Sequence, residues 1–365
     1  MGVRFTYIRW SCGRETMTIA LITDQHLDGR KGSLAFWNYF EKFYDDVFFS
    51  TLKERGISTV IDLGDTFDNR KNIDFNVWNR VRSSYFDRLH SMGIKLHMIL
   101  GNHCIYYKNT NKINSPELLL GEYDNVTIYA NPTTVDIEGV KVCMLPWINK
   151  ENQQETMDHL QSTDAEIVMG HLELNGFVVT PGMTMDHGMD PIIFKNFKQV
   201  FSGHFHHKST KGNITYLGNP YQMFWNDYKD KRGFHLYEPK SNKLTRILNP
   251  YEIFEKIYYN DIENDYSEFD GTQYKDKYVK LVVVEKTDYH QFEKVMESLY
   301  DSGIHDLKIV ETLLEDDTTE IDENIEIKDT MTLLNEYIDE VEMSVSKSDL
   351  KNLMKSLYIE SCEVV

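Results

Sequence analysis

The sequence predicts an α/β fold followed by a smaller acidic portion, and three observations carry that reading. From Met17 to about Pro250, short apolar runs bounded by turn residues alternate with amphipathic stretches. Motifs built from Asp, His and Asn follow five of those runs. Beyond Pro250 the composition changes: residues 251–365 carry the whole formal net charge of −19, while the first 250 residues balance to about zero.

The runs Ile19–Ile22, Val60–Leu63, Leu96–Leu100, Ile167–Met169 and Val200–Phe201 read as buried strands. Ser33 is placed to cap a helix ending at Gly56, and a second helix is expected from about Asp74 to Gly93. Ser115-Pro116 and Asp190-Pro191 each join an N-cap residue to a proline at the first helical position. After Pro250, a strand over Tyr278–Val284, a helix over Asp288–Tyr300 closed by Gly303, and a strand over Leu307–Val310 make a small α+β unit, bounded at 251–312. Residues 313–328, acidic and poor in aromatics, read as a flexible linker. In 329–365, Leu334, Tyr337, Ile338 and Val341 line one helical face, and Leu350, Leu353, Met354 and Leu357 line another, with Ser346 as cap. Such a pair has no core of its own, so it docks on a partner or folds back on the body. Residues 1–16 show no period and read as a disordered extension, either a frayed terminus or the result of an upstream start.

A chain of 365 residues is long enough for two domains. It holds no apolar run of the roughly 18 residues needed to span a bilayer, and its amino terminus lacks the basic-then-apolar order of a signal peptide. Cys12, Cys104, Cys143 and Cys362 show neither metal-knuckle nor disulfide-framework spacing. The expectation is a soluble cytoplasmic protein without thiolate metal sites or membrane contact. The acidic third argues against a DNA-binding tail there, because such tails neutralise phosphates with Lys and Arg.

The motifs are Asp24-Gln25-His26, Gly64-Asp65 with Asp68, Gly101-Asn102-His103, Gly170-His171 and Gly203-His204-Phe205-His206. In open α/β sheets, ligand groups gather beyond the carboxyl ends of strands, so these motifs point to one place, most simply a metal site. Singly each is weak, a chance surface pair or an ordinary turn; five in series are not. Two divalent cations about 3.5–4 Å apart can clamp a phosphate and need a carboxylate shared between them. Asp65 suits that role because the Gly64-Asp65 turn lets the backbone come close. Asp24 and His26, two apart on an extended segment, would share one side. His204 and His206 have the same spacing, and either both turn inward together or the loop divides them between the ions. Nitrogen and oxygen ligands without sulfur favour Mn, Fe or Zn over a Ca cage.

This order of motifs resembles the calcineurin-like metallophosphoesterases. The spacing from Gly101-Asn102-His103 to the last motif, the run Ser115-Pro116-Glu117-Leu118-Leu119, the segment Gly170-His171-Leu172-Glu173-Leu174-Asn175-Gly176-Phe177 and Tyr216-Leu217-Gly218-Asn219-Pro220 narrow the resemblance to the SbcD-type DNA-repair exonucleases, those of T-even-like phages in particular. The likeness covers about residues 17–360 and implies a two-sheet αββα sandwich over 17–250, a capping domain over 251–312, and helices at 329–365 that dock on an SMC-like coiled-coil ATPase of the SbcC type. Leu334, Tyr337, Ile338, Leu350, Leu353 and Leu357 would then bind the partner. Carried over by motif, Asp24, His26, Asp65 and His206 hold one manganese-type ion, and Asp65, Asn102, His171 and His204 hold the other. His103 would act on the scissile phosphate; Asp68, where relatives carry His or Asp, is a candidate catalytic residue whose role stays open. The resemblance further implies double-stranded DNA ends as substrate and a homodimer paired through helices that include 74–92 and 116–122.

One departure matters. The family reads G-N-H-D, whereas Cys104 follows His103 here, and a thiol is a poor acceptor for orienting an imidazole. Either another carboxylate substitutes or His103 is held less firmly. Asn69-Arg70 also differs from the D-R-G run of the Ser/Thr protein phosphatases. A manganese-dependent DNA nuclease working with an ATPase is the leading expectation. A phosphoesterase for small molecules or phosphoproteins and a metal-free scaffold are the other readings.

Overall fold

In the strand Ile19–Ile22, Ile19 and Leu21 belong to one apolar cluster and Ala20 and Ile22 to another, and this alternation with a period of two generates the layers of the molecule. The computed structural model describes residues 17–180 and 183–311, together with Tyr337, Ile338, Ser346, Lys347, Leu350, Lys351, Leu353, Met354 and Leu357. The extension at 1–16, the linker at 313–328, Leu334 and Val341 lie outside the described residues.

Two six-stranded mixed sheets stack face to face. The first runs, in spatial order, Lys243–Leu248, Gly233–Glu238, Ile19–Ile22, Thr59–Asp62, Lys95–Ile99 and Val126–Tyr129; the last four are mutually parallel. The second runs Ser209–Lys211, Ile214–Tyr216, Gln199–Gly203, Ile167–His171, Val140–Leu145 and Thr133–Ile137, and its middle four are parallel. Between the sheets lie Leu21, Ile61, Leu63 and Ile99 from one side and Val142, Met144, Met169 and Phe201 from the other. Ala20, Val60 and Leu96 face an aromatic-rich layer of helices that includes Phe36, Phe40, Phe43 and Phe48. Val168 and Val200 face the opposite outer layer with Phe177 and Phe194. The fold is an αββα sandwich.

The expected helices form, although Ser33, expected to cap the first, makes no side-chain capping bond. One runs from Leu34 to Glu54 and a second from Phe75 to Ser91, where the Asp74 carboxylate accepts from the N–H groups of Asn76 and Val77. Each widens through a π turn, at Tyr44–Phe49 and Arg82–Phe86. The first turn places the Tyr44 hydroxyl to donate to Gln25 Oε1 at 2.6 Å, beside the first motif. One boundary is corrected. Asn114, not Ser115, caps the helix Ser115–Leu119, because its side chain accepts from the Glu117 N–H at 2.9 Å and Pro116 then falls within the first turn.

Beyond Pro250, Phe254–Asn260 is a strand that the pattern did not signal, parallel to Tyr278–Glu285, and with Asp306–Glu311 it forms a three-stranded sheet beneath the helix Tyr289–Asp301. Its pattern is masked because both faces mix apolar and polar side chains, with Lys256 among Phe254 and Tyr258 on one and Glu255 beside Ile257 and Tyr259 on the other. Ile257 and Tyr259 pack under the helix, while Phe254 packs on Trp225 and Phe36 of the sandwich. Residues 311–365 form a separate unit. In it the Ser346 carbonyl accepts the Leu350 N–H at 3.0 Å, the bond expected of an N-cap residue.

His235 sits beside Leu21 in the intersheet layer, 1% exposed, with neither ring nitrogen bonded. Burial, then the charges of Arg246 and Lys208, lower its pKa to about 3. A depressed histidine contributes stability that is present above the unfolded value of about 6.5 and lost as pH falls below it. Between pH 7 and 5 the loss is about 2 kcal/mol at 1.36 kcal/mol per unit. Urea unfolding of His235→Leu should therefore gain about 2 kcal/mol on the wild type over that interval; parallel pH dependences would show that His235 does not titrate on unfolding.

Candidate metal centre

All five motifs converge at the carboxyl ends of the central parallel strands. Asp24 follows Ile19–Ile22, Asp65 follows Thr59–Asp62, Asn102 and His103 follow Lys95–Ile99, His171 ends its own strand, and Gly203 ends the next. The first three strands belong to one sheet and the last two to the other, so the site straddles the seam.

Three clusters result, with potential ligand atoms within 4.8 Å of one another: Asp24, His26 and His206; Asp65, His171 and His204; and, sharing His26 with the first, His26, Asp68 and His103. Asn102 completes the second, its Oδ1 lying 3.1 Å from both His171 Nε2 and His204 Nδ1. His204 and His206 are therefore divided. Asp65 Oδ2 is 3.2 Å from His171 Nε2, and its Oδ1 accepts the His103 N–H at 2.8 Å. Its charge also acts on Asp24 and His26, so its field reaches the first cluster as well.

The reason given for pairing Asp24 with His26 is corrected. The segment is not extended: Asp24 and His26 have φ of 50° and 43°, and Asp65 and His204 have 50° and 89°. Left-handed backbone costs a non-glycine residue roughly 1–2 kcal/mol. It is held here by Asp24 N–H to Gly64 O and His26 N–H to Asp65 O, both 2.9 Å, and by the His204 N–H donating to Asp24 Oδ1 at 3.0 Å. Close approach requires glycine twice. A Cβ on Gly101 would strike the Asp65 carboxylate, and one on Gly203 would strike Thr23 Oγ1 and come 2.9 Å from His171 Nδ1.

The donor set fits a pair of cations. His26 Nε2 and His206 Nε2 face each other at 3.2 Å, one imidazole accepting from the other, and His204 Nε2 is buried without a hydrogen bond. Burial disfavours every charge in the site. At Asp24 burial prevails and the pKa rises; at Asp65 the imidazoles of His171, His103 and His26 outweigh it and hold the carboxyl well below the ordinary range. Burial would lower His26 and His171, yet Asp68 chiefly lifts the first and Asp65 the second, each to about 9. In the absence of metal, imidazolium supplies the positive charge that the carboxylates demand.

His103 is tied by its Nδ1 to the Asp68 carbonyl at 2.8 Å, with Asp68 Oδ1 at 3.6 Å. Asp68 also lies 3.0 Å from His26 Nδ1. The orienting group that the residue after His103 fails to provide thus comes from Asp68. Cys104 is fully buried beside Leu100 and Ile105, and its burial raises the thiol to about 12, so it acts as packing.

Several supporting residues escaped the sequence reading. Asp28 accepts from the N–H groups of Asp68 and Asn69 and sets their loop. Buried Arg232 donates to the His206 carbonyl and to Asn219, and pairs with Asp227 at 2.6 Å, which anchors the last motif from behind. Trp147 lies 5.0 Å from the His204 ring, and Glu173 Oε2 lies 3.5 Å from His204 Nε2. Glu173 and Asn219 lie in segments that carry the family resemblance, but the others sit in no motif and gain their meaning only from folding.

The family model for calcineurin-like phosphoesterases matches residues 17–208, and the chain belongs to that family, whose members use divalent metals to cleave phosphate esters. Exonuclease subunit 1 of Enterobacteria phage T4 is 34% identical over 318 residues, 85% of this chain and 90% of that protein. The DNA double-strand break repair protein Mre11 of Methanocaldococcus jannaschii is 24% identical over 180 residues, 45% of this chain and 47% of that one. A solved archaeal phosphodiesterase is 11% identical with a TM-score of 0.34, covering 64% of this chain and 100% of its own.

Cys104→Asp restores the family pattern but places a carboxylate in an apolar pocket. The expected result is a loss of about 2–4 kcal/mol in urea unfolding, with no gain in rate on a phosphodiester. A faster and equally stable variant would show that His103 lacks an orienting partner in the native chain.

Proposed function

We propose that this chain is the nuclease subunit of a complex that processes double-strand DNA ends for recombination and repair. It would cleave phosphodiester bonds with two divalent cations, manganese foremost. Asp24, His26, Asp65 and His206 would hold one, and Asp65, Asn102, His171 and His204 the other. The observation that carries this reading is the grouping of those side chains into buried clusters around the charge of Asp65, in a chain 34% identical to a phage exonuclease subunit over most of its length.

When bound, the cations polarise the phosphate and supply the nucleophilic water. The protein's own work is orientation and proton handling. With Nδ1 donating to the Asp68 carbonyl, His103 leaves Nε2 as the working nitrogen, able as imidazolium to protonate the departing oxygen. Asp68 positions His103 and, through its carboxylate, His26. The left-handed turns at Asp24, His26 and Asp65 fix the carboxylates before any ligand arrives.

The partner is an SMC-like coiled-coil ATPase of the SbcC type, bound by the helices at 329–365; Tyr337, Leu353 and Leu357 are exposed in helical backbone, which supports this, whereas Ile338 is buried. A homodimer through the helices at 74–92 and 116–122 is supported by exposed Phe75 and Leu118, 85% and 73% accessible. The sheet and helix of 251–312 would cap the site. We place the protein in the cytoplasm, the host's if it is phage-encoded; among the described residues no helix is long and apolar enough to cross a membrane.

His103→Ser should slow manganese-dependent cleavage of end-labelled duplex DNA by about 10²–10⁴-fold while metal analysis still finds both ions. Because His103 also groups with His26 and Asp68, loss of an ion would instead make it a ligand. Deleting residues 328–365 should abolish co-purification with the ATPase and leave manganese-dependent cleavage by the remaining chain. A stoichiometric complex with the truncated chain would end the docking assignment.

A further inference from the structure

The acidic end of the chain sets three of its cations in one row. In the three-stranded sheet, Ile257, Tyr259, Val279, Leu281 and Val283 pack beneath the helix, so Phe254, Lys256, Tyr278 and Lys280 take the opposite face. The register puts Lys256 directly beside Lys280. Lys308, next to helix-side Leu307, adds its charge to Lys280 from the third strand. Like charges opposite one another destabilise a sheet. Even so, none of the three has a carboxylate within ion-pair distance among the described residues; the neighbouring Glu255 is taken by Lys277 at 3.2 Å.

Two of the ammonium groups, those of Lys256 and Lys280, lie instead against aromatic rings of the sandwich, as does that of Lys229. Lys280 Nζ is 4.1 Å from the Trp225 ring centroid, and Lys256 and Lys229 are 4.9 and 5.4 Å from that of Tyr228. Trp225 follows Phe224, whose ring lies nearly parallel to the His206 imidazole at 6.4 Å. The basic, aromatic surface therefore begins at the rim of the metal centre. Burial, then the charges of Lys256 and Lys308, pull Lys280 down to about 8, so the row gains from any anion that joins it.

We propose that Lys229, Lys256, Lys280 and Lys308 form a track for the sugar–phosphate backbone of the DNA whose scissile bond lies over the metal centre. Neighbouring strands are about 4.8 Å apart, so the three sheet lysines span about 10 Å. That covers about three rises of 3.4 Å along one strand, or about four successive phosphates, not one phosphoryl group. The track deepens the nuclease reading and rests on it.

The test is the triple variant Lys256→Gln, Lys280→Gln, Lys308→Gln in the full chain. It is assayed with manganese on duplex DNA over a range of NaCl concentrations and on bis(p-nitrophenyl) phosphate, a diester too small to reach the track. The expected result is unchanged hydrolysis of the small diester, with KM for DNA raised on the order of tenfold and a salt dependence shallower by about 2–3 in log–log slope. Wild-type KM and slope in the triple variant overturn the track. A wild type that hydrolyses the small diester but neither binds nor cleaves DNA overturns the nuclease reading and the track with it. If the triple variant also loses the small-diester activity, Lys308→Gln alone, at an exposed position, decides: a slope lowered by about 1 supports the track, and an unchanged slope overturns it.

Discussion

A carboxylate sealed from water must be given positive charge, and Asp65 imposes that demand on the whole seam between the sheets. It is 2% exposed, yet it stays ionised because His171, His103 and His26 surround it. The His103 N–H is spent on it, and the glycine at 101 exists to make room for it. Two imidazoles are drawn toward protonation by the same field. A divalent cation answers the demand more completely than imidazolium does, which is why the geometry is that of a receptor for metal and not of a structural ion-pair network.

The strand-end motifs were legible because each couples an apolar run to an uncommon polar sequence, and the rule for open sheets converts that order into proximity. The means of convergence was not legible. Alternation suggested that Asp24 and His26 share a side, but left-handed turns bring them round, and no local propensity marks Asp24 for φ of 50°. Asp28 and Arg232 were invisible for another reason: their partners lie tens of residues away, or on a loop that folds behind the site, so only tertiary structure defines them. The strand Phe254–Asn260 was lost because each face mixes polar and apolar side chains, Lys256 with Phe254 and Tyr258 on one and Glu255 with Ile257 and Tyr259 on the other, so no period remains.

Cys104 shows how a motif departure can mislead. Taken against the family pattern it marks a missing hydrogen-bond acceptor, whereas in the fold it fills a small apolar pocket and the acceptor is a backbone carbonyl from the neighbouring strand end. Net charge is a coarse guide in a similar way. The −19 of the carboxyl-terminal portion is a sum over surfaces and coexists with the local row of Lys256, Lys280 and Lys308.

The candidate ligands come from both sheets: Asp24, Asp65 and Asn102 from the strand ends of one, His171 and His204 from those of the other. An ion bound there would act as a rivet between two layers otherwise joined by apolar contact. Its binding energy would then be part of the adhesion of the sandwich. By reciprocity, a cavity opened near Met169 or Phe201, between the sheets, would loosen the grip on the ion by the difference between its cost to the ion-bound and the ion-free sandwich.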